Sequence, residues 1–184
     1  MSMMNARSSR GAIWVSAVLF MAVSVVIISL LLSAALPLIE SMKQRNILAE
    51  TKHLLTVVDE SIRTVAREGP GSQRDVHVTI DAGKLFISQD DDALVWEMVV
   101  SDKLIEPGYV ITEGPLRLYL TTTPVKDKYK MNITLSYADT VDLLLDSPYQ
   151  NPFFGKYTAI IAHNGSYTTS STGISIPQVR IKIL

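Results

Sequence analysis

An apolar segment without a single charged side chain lies near the beginning of the sequence. Residues 12–39 number 28, and none of them is Asp, Glu, Lys or Arg. About 20 apolar residues in a helix are enough to cross the hydrocarbon core of a bilayer. The segment is therefore predicted to be a helix that lies in lipid or in an equally dry environment.

The length of this segment separates it from an ordinary secretory signal, whose apolar region has about 7–15 residues. A simple interpretation is a single-pass anchor whose short basic tail contains Arg7 and Arg10. Basic residues before the helix place the amino terminus in the cytoplasm and the rest of the chain outside, although Lys43 and Arg45 flank the other end.

The apolar segment also contains serines and a proline, which a helix that contacts only lipid does not need. Ser29 and Ser33 are four residues apart, so they share one helix face and would allow a second helix to approach closely. The alternative is that each serine bonds the carbonyl one turn earlier and has no role in packing. Pro37 removes one backbone donor and is expected to kink the helix.

A second, amphipathic helical pattern covers residues 40–68. Its apolar residues alternate at spacings of three and four, which places them in one stripe that is expected to complete the core of the following domain. Gly69, Pro70 and Gly71 predict the end of the helix. The stripe consists of Leu48, Thr51, Leu55, Val58, Ile62 and Val65.

From Val76 onward the sequence shows the period of two that is typical of β-strands. Residues 76–80 and 85–88 predict a hairpin joined by the turn "DAGK", and "QDDD" predicts the next turn before "ALVWEMVV". Residues 138–155 are compatible with a short helix or an irregular loop. Short strands separated by Gly and Pro favour an antiparallel sandwich or roll, so the fold class is α+β with a long helix before a β-rich head. The further strands are predicted at 109–112, 116–122, 129–137, 157–163 and 179–184.

No pattern in the chain indicates catalysis or a bound cofactor. There is no cysteine, and the histidines His53, His77 and His163 are too scattered to predict a metal site. The aspartates 90–92 lack the ligand spacing of a calcium loop. Beyond the apolar segment the chain has 15 basic and 18 acidic residues, which argues against nucleic acid as a primary ligand. We therefore expect a protein that is not an enzyme and has no cofactor.

Two sequons provide acceptor patterns for N-glycosylation, at Asn132 and Asn164. Asn132 falls on the polar face of its predicted strand, and Asn164 precedes Gly165 in a predicted hairpin turn. Both are expected to be exposed, which suits a glycoprotein head outside the cell.

The amino-terminal pattern resembles the class III signal of archaeal type IV pilin-like proteins. A short basic leader ends at Arg10-Gly11, and Ala12 begins the apolar helix. The resemblance implies that a membrane prepilin peptidase removes residues 1–11 and that residues 12–39 first span the membrane and then pack in a filament core. It also implies that residues 40–68 form the amphipathic helix and residues 69–184 an extracytoplasmic head. Where many members have a glutamate five residues into the mature chain, this chain has Ser16.

Two functions follow as expectations. The first is a subunit of a cell-surface filament used in adhesion, motility or uptake, whose partners are copies of itself or other pilin-like subunits, the prepilin peptidase and membrane lipid. The second is a membrane-anchored extracytoplasmic binding or sensing module that does not polymerise. The two differ in whether the leader is removed and whether copies assemble.

Overall fold

The computed structural model describes residues 8–148, 151–170 and 173–184, with side chains from Trp14 onward. Within these ranges one long helix, α1 (Ser8–Glu68), is followed by eight β-strands, which confirms the predicted α+β class. The chain divides into two compact units, of which the first ends at Lys43 and the second, the head unit, runs from Gln44 to Leu184. The amphipathic part of α1 therefore belongs to the head unit.

Eight strands of the head unit form one sheet in the order β3-β4-β5-β2-β1-β7-β8-β6. Neighbouring strands are antiparallel except β6 and β8, which are parallel. The bounds are β1 (Gln73–Ser88), β2 (Ala93–Val100), β3 (Val110–Glu113), β4 (Leu116–Thr122), β5 (Tyr129–Ser136), β6 (Asp142–Asp146), β7 (Phe153–Thr169) and β8 (Ser175–Ile183).

The core of the head unit lies between this sheet and the apolar stripe of α1. Successive residues of a strand point to opposite faces, so burial alternates along β4 and β5, where Leu118, Leu120 and Ile133 are almost inaccessible to solvent. The helix contributes Ile62 and Val65, which are fully buried against the same cluster. Complete burial of each such aliphatic side chain contributes roughly 1.5–3 kcal/mol to folding.

The turn predicted at "DAGK" is wrong, because β1 continues through it as one strand of 16 residues. The strand shifts register against β7 between Ile80 and Leu85, and its pairing with β2 begins at Lys84, so that Leu85 pairs with both neighbours. Gly83 has a φ of +81° in this segment, a conformation that glycine adopts without a steric penalty. The glycine therefore marks a bulge in a strand instead of a reversal of the chain. The next predicted turn, at residues 89–92, does separate β1 from β2.

Two further local predictions are also wrong. Asn164 and Gly165 lie inside β7, at a register shift between His163 and Tyr167, and the chain does not turn back there. The described part of residues 138–155 contains β6 and the beginning of β7, where a short helix or an irregular loop was predicted. Strand β6 has five residues, and its partner β8 comes much later in the chain. The sequence around β6 therefore has no hairpin pattern by which the strand could be predicted.

The described residues of the first unit form the beginning of α1, up to Lys43, and include its apolar part. Among the described residues, one helix is long and apolar enough to cross a membrane, with a mean hydropathy of 2.8 and no part of that apolar window buried. Pro37 lies inside the helix and does not end it. Large apolar side chains such as Phe20, Leu30 and Leu38 are exposed, so the fold of a single chain provides no cover for them.

Candidate functional surfaces

The residues predicted for leader cleavage, Arg10, Gly11 and Ala12, lie in the first turns of α1. Their side chains and the whole of residues 1–7 lie outside the described part of the structure. The site of cleavage therefore remains a prediction from the sequence.

The serines of the apolar helix use their hydroxyl groups within that helix. Ser29 Oγ donates to the Val25 carbonyl oxygen at 2.8 Å, and Ser24 Oγ donates to the Phe20 oxygen at the same distance. Ser33 is exposed, one turn beyond Ser29. Since the Ser29 hydroxyl is already bonded, the feature that this residue offers to a neighbouring helix is its small volume.

Most of the predicted helix stripe lies in the core of the head unit. Leu55, Val58, Ile62 and Val65 are each at most 4% exposed, and Leu48 is half-buried against the same cluster. The stripe therefore packs against the chain's own sheet, which leaves the apolar residues before Lys43 as the uncovered part of α1.

Gln44 anchors the beginning of the head unit and was missed by sequence reasoning. Its side chain is 8% exposed, and its Oε1 accepts hydrogen bonds from the backbone nitrogens of Ser101 at 3.1 Å and Asp102 at 3.4 Å. Lys128 Nζ in turn donates to Ser101 Oγ at 2.6 Å. Gln44 lies four residues before Leu48, so an extension of the helical stripe by one turn would have found it.

A second polar cluster on α1 consists of Asp59, Arg63 and Tyr137. Asp59 is 6% exposed, and the Nε of Arg63 donates to both of its carboxylate oxygens at 2.9 and 3.0 Å. The guanidinium lies 5.5 Å from the centre of the Tyr137 ring, within the range of a cation–π interaction. Burial, followed by the nearby Asp59 charge, raises the pKa of Tyr137. The cluster joins the helix to the chain just after β5.

An open groove of about 770 Å³ runs beside this cluster. Arg63, Arg67 and Glu60 line it from the helix, and Pro115 and Pro177 line it from the sheet. Its cations and carboxylates are balanced, because Asp59 also faces it. The groove therefore shows no charge preference for a ligand.

Five aspartates gather at a second depression of about 490 Å³: Asp90, Asp91, Asp92, Asp139 and Asp142. Asp92 Oδ1 accepts a hydrogen bond from the Leu143 nitrogen at 2.8 Å, and Gln89 Oε1 accepts one from the Leu145 nitrogen at 3.0 Å. These bonds cover the outer edge of β6, which would otherwise present unpaired backbone donors. Burial is the main cause that raises the pKa of Asp92, and the surrounding carboxylates add to it, while the bond from Leu143 opposes the rise.

The described residues contain no group of three or more His, Cys, Asp or Glu side chains placed to hold a metal ion. Two of the histidines, His53 and His77, are exposed. His163 is buried in β7, where its Nδ1 accepts a hydrogen bond from the Gly165 nitrogen at 2.9 Å. The histidines thus occupy separate environments.

The two sequon asparagines are half-buried, whereas we expected both to be exposed. Asn132 lies on the outer face of β5, opposite Glu97 of β2 and Tyr119 of β4. Asn164 Nδ2 donates to Gln178 Oε1 at 2.6 Å, and its Oδ1 accepts a hydrogen bond from Arg180. The Asn164 amide, which is the acceptor group of the sequon, is therefore engaged by β8 on both its nitrogen and its oxygen.

Comparison with known proteins gives no match to any family model, curated protein or solved structure.

Proposed function

We propose that the chain is a pilin-like subunit of an archaeal cell-surface filament. In this proposal a prepilin peptidase cuts between Gly11 and Ala12 on the cytoplasmic side, and the apolar part of α1 holds the subunit in the membrane with the head unit outside. Copies of the subunit, or other pilin-like subunits, then pack their apolar helices in a filament that serves adhesion, motility or uptake.

One observation carries the proposal. A single helix has an amphipathic part that is buried in its own head unit and an apolar part that is not buried at all. Side chains such as Phe20 and Leu30 are stable only in lipid or against other apolar helices. A subunit that moves from membrane to filament exchanges one apolar environment for the other. Head-to-tail contacts between subunits that do not close into a ring would build an open helical assembly.

The second candidate is an anchored binding or sensing module that stays monomeric. The open groove beside Arg63 and Arg67 favours it, because a groove of this size on an extracytoplasmic head provides a surface for a ligand. In that case the apolar helix contacts only lipid, and the leader need not be removed.

Processing of the leader gives the first test. The intact mass and amino-terminal sequence of the protein purified from membranes should show a chain that begins at Ala12. Gly11→Val should leave the precursor uncut, because a bulky side chain would replace the residue before the scissile bond, whereas Ser8→Ala should be processed normally. A membrane protein that retains residues 1–11 would remove the main reason for the pilin-like proposal.

Assembly gives the second test, through Ser29→Leu combined with Ser33→Leu. At a close helix contact each leucine overfills the space, with a cost of roughly 1–3 kcal/mol per site that every subunit repeats. Surface fibres recovered by shearing should therefore shorten or disappear while the membrane-bound subunit remains at the parental level. The matched control, Ser29→Ala with Ser33→Ala, keeps the small volume and should assemble normally. A parent that yields only membrane-bound monomer, with no fibres and no cross-linked ladder, would favour the anchored module.

A further inference from the structure

One end of the head unit is defined by the aligned ends of four neighbouring strands. Val100 of β2, Tyr129 of β5 and Thr122 of β4 lie side by side, and the Gly108 nitrogen before β3 donates to Leu120 of β4 at 2.9 Å. Gln44 is held at this end through its bonds to the backbone that follows β2. The chain therefore enters the head unit where these four strands end.

This end exposes large apolar side chains in spite of its position at the surface of the head unit. Val99, Tyr109, Val110 and Val125, here called the basal surface, are each between 59% and 68% exposed. The connections that surround them, residues 101–109 and 123–128, contain three lysines and three acidic residues. The basal surface is thus apolar and set among balanced charges.

The opposite end of the same four strands has a different character. Its connections, residues 89–92, 114–115 and 137–139, contain four acidic residues and neither lysine nor arginine, whereas Glu113 at the end of β3 is paired with Lys52 of α1. The four carboxylates are those of Asp90, Asp91, Asp92 and Asp139, which line the acidic depression. A surface of this charge is repelled by lipid phosphate and favours water, whereas the basal surface has no such barrier.

The chain brings the basal surface close to the place where the apolar segment ends. Glu40 to Gln44 is five residues, and even a fully extended chain of that length spans at most about 18 Å. A helical chain spans less. If the apolar segment lies in a bilayer, Gln44 and the strand ends beside it are therefore within reach of the headgroup layer.

We propose that the basal surface lies against lipid headgroups while the subunit is membrane-bound. Tyrosine is favoured at the membrane–water interface, because its ring is apolar and its hydroxyl reaches water. Lys126 is exposed in the same connection as Val125, and its long apolar stem would leave its ammonium group at the level of the phosphates. The inference depends on the membrane insertion in the proposed function, and it adds an orientation in which the acidic end points away from the membrane.

The absence of cysteine from the sequence allows a direct test with the full chain. Single-cysteine variants at Tyr109 and Val125, each labelled with a polarity-sensitive fluorophore, are inserted into phosphatidylcholine vesicles that contain lipid spin-labelled near the headgroup. The matched control is Asp90→Cys, an exposed position in the acidic turn. The length of β2, Ala93–Val100, places that turn about 26 Å from the basal surface.

Labels at positions 109 and 125 should show blue-shifted emission and several-fold stronger quenching by the spin-labelled lipid than the label at position 90. Equal quenching at all three positions, in protein that resists extraction by alkaline carbonate, would refute the basal contact and leave the membrane anchor intact. Release of the protein by carbonate would refute the insertion on which both proposals depend.

Discussion

Gly83 offers a quantitative test of how the bulge in β1 and the buried indole of the head unit depend on each other. A Cβ atom placed on Gly83 would lie 2.6 Å from the Glu97 carbonyl oxygen and 2.7 Å from atoms of the Trp96 ring. Trp96 is 1% exposed, and its Nε1 donates to the Ala82 carbonyl oxygen at 3.0 Å. The ring therefore cannot move aside without loss of a buried hydrogen bond.

The expected cost of Gly83→Ala has two components. An L-residue at positive φ costs roughly 1–2 kcal/mol, and the overpacked contact adds about 1–3 kcal/mol, so the total is about 2–5 kcal/mol. Gly155→Ala is the matched control, since Gly155 in β7 also has a positive φ, of +96°, but nothing within 4 Å of its added Cβ. This control should lose only the conformational component.

The measurement uses a polypeptide of residues 44–184, in which Trp96 is the single tryptophan and its fluorescence reports unfolding at the site itself. Urea titrations of the parent and the two variants give the free energies of unfolding. A loss for Gly83→Ala no larger than that for Gly155→Ala would show that the indole does not close over the bulge, and the account of β1 as one bent strand would then fail.

Further predictions concern the acidic turn and the helix stripe, both measured by urea titration of residues 44–184. Asp92→Asn keeps an acceptor for the Leu143 nitrogen and removes a carboxyl group whose pKa is raised in the folded state. It should therefore be at least as stable as the parent at pH 7. Asp92→Ala removes the acceptor and should lose about 1–3 kcal/mol of unfolding free energy. The pKa of Asp92 is higher in the folded than in the unfolded chain, so the parent should lose stability relative to Asp92→Asn as the pH rises through the folded pKa. A difference in unfolding free energy that stays constant with pH would show that the pKa of Asp92 is not raised by folding. Ile62→Asp should destabilise the head unit by several kcal/mol, because it places an unpaired charge in the core. Val57→Asp, at a position that is 37% exposed, should have little effect. Similar unfolding curves for the two variants would show that Ile62 does not lie in the core.

The elements that could be predicted from sequence are those whose pattern is local. Spacings of three and four located the helix stripe, and alternation located β4 at Leu116–Thr122 with both of its ends correct. Two glycines led to wrong predictions of a turn. At Gly83 and Gly165 the glycine permits a bulge within a continuous strand, and a bulge and a turn require the same backbone freedom. Only the pairing partners of the strand distinguish the two cases.

The polar contacts of the head unit show why the rest could not be predicted. Gln44 is 57 residues from Ser101, and Asp92 is 51 residues from Leu143, so neither contact leaves a trace in the neighbouring sequence. The basal surface likewise becomes visible only when four strands are aligned, because Val99, Tyr109 and Val125 belong to three different parts of the chain. The apolar segment, in contrast, is evident from composition alone.

The parallel pairing of β6 with β8 has a consequence for how the head unit is made. Asp142 of β6 lies opposite Gln178 of β8, 36 residues later in the chain, and β8 lies between β6 and β7 in the sheet. During synthesis β6 therefore emerges well before its partner strand exists. At an elongation rate of roughly 5–20 residues per second, the interval lasts about 2–7 seconds. Until β8 arrives, the edge of β6 that will pair with it is open to other nascent chains, whereas the partners of its outer edge, Gln89 and Asp92, have already been synthesised.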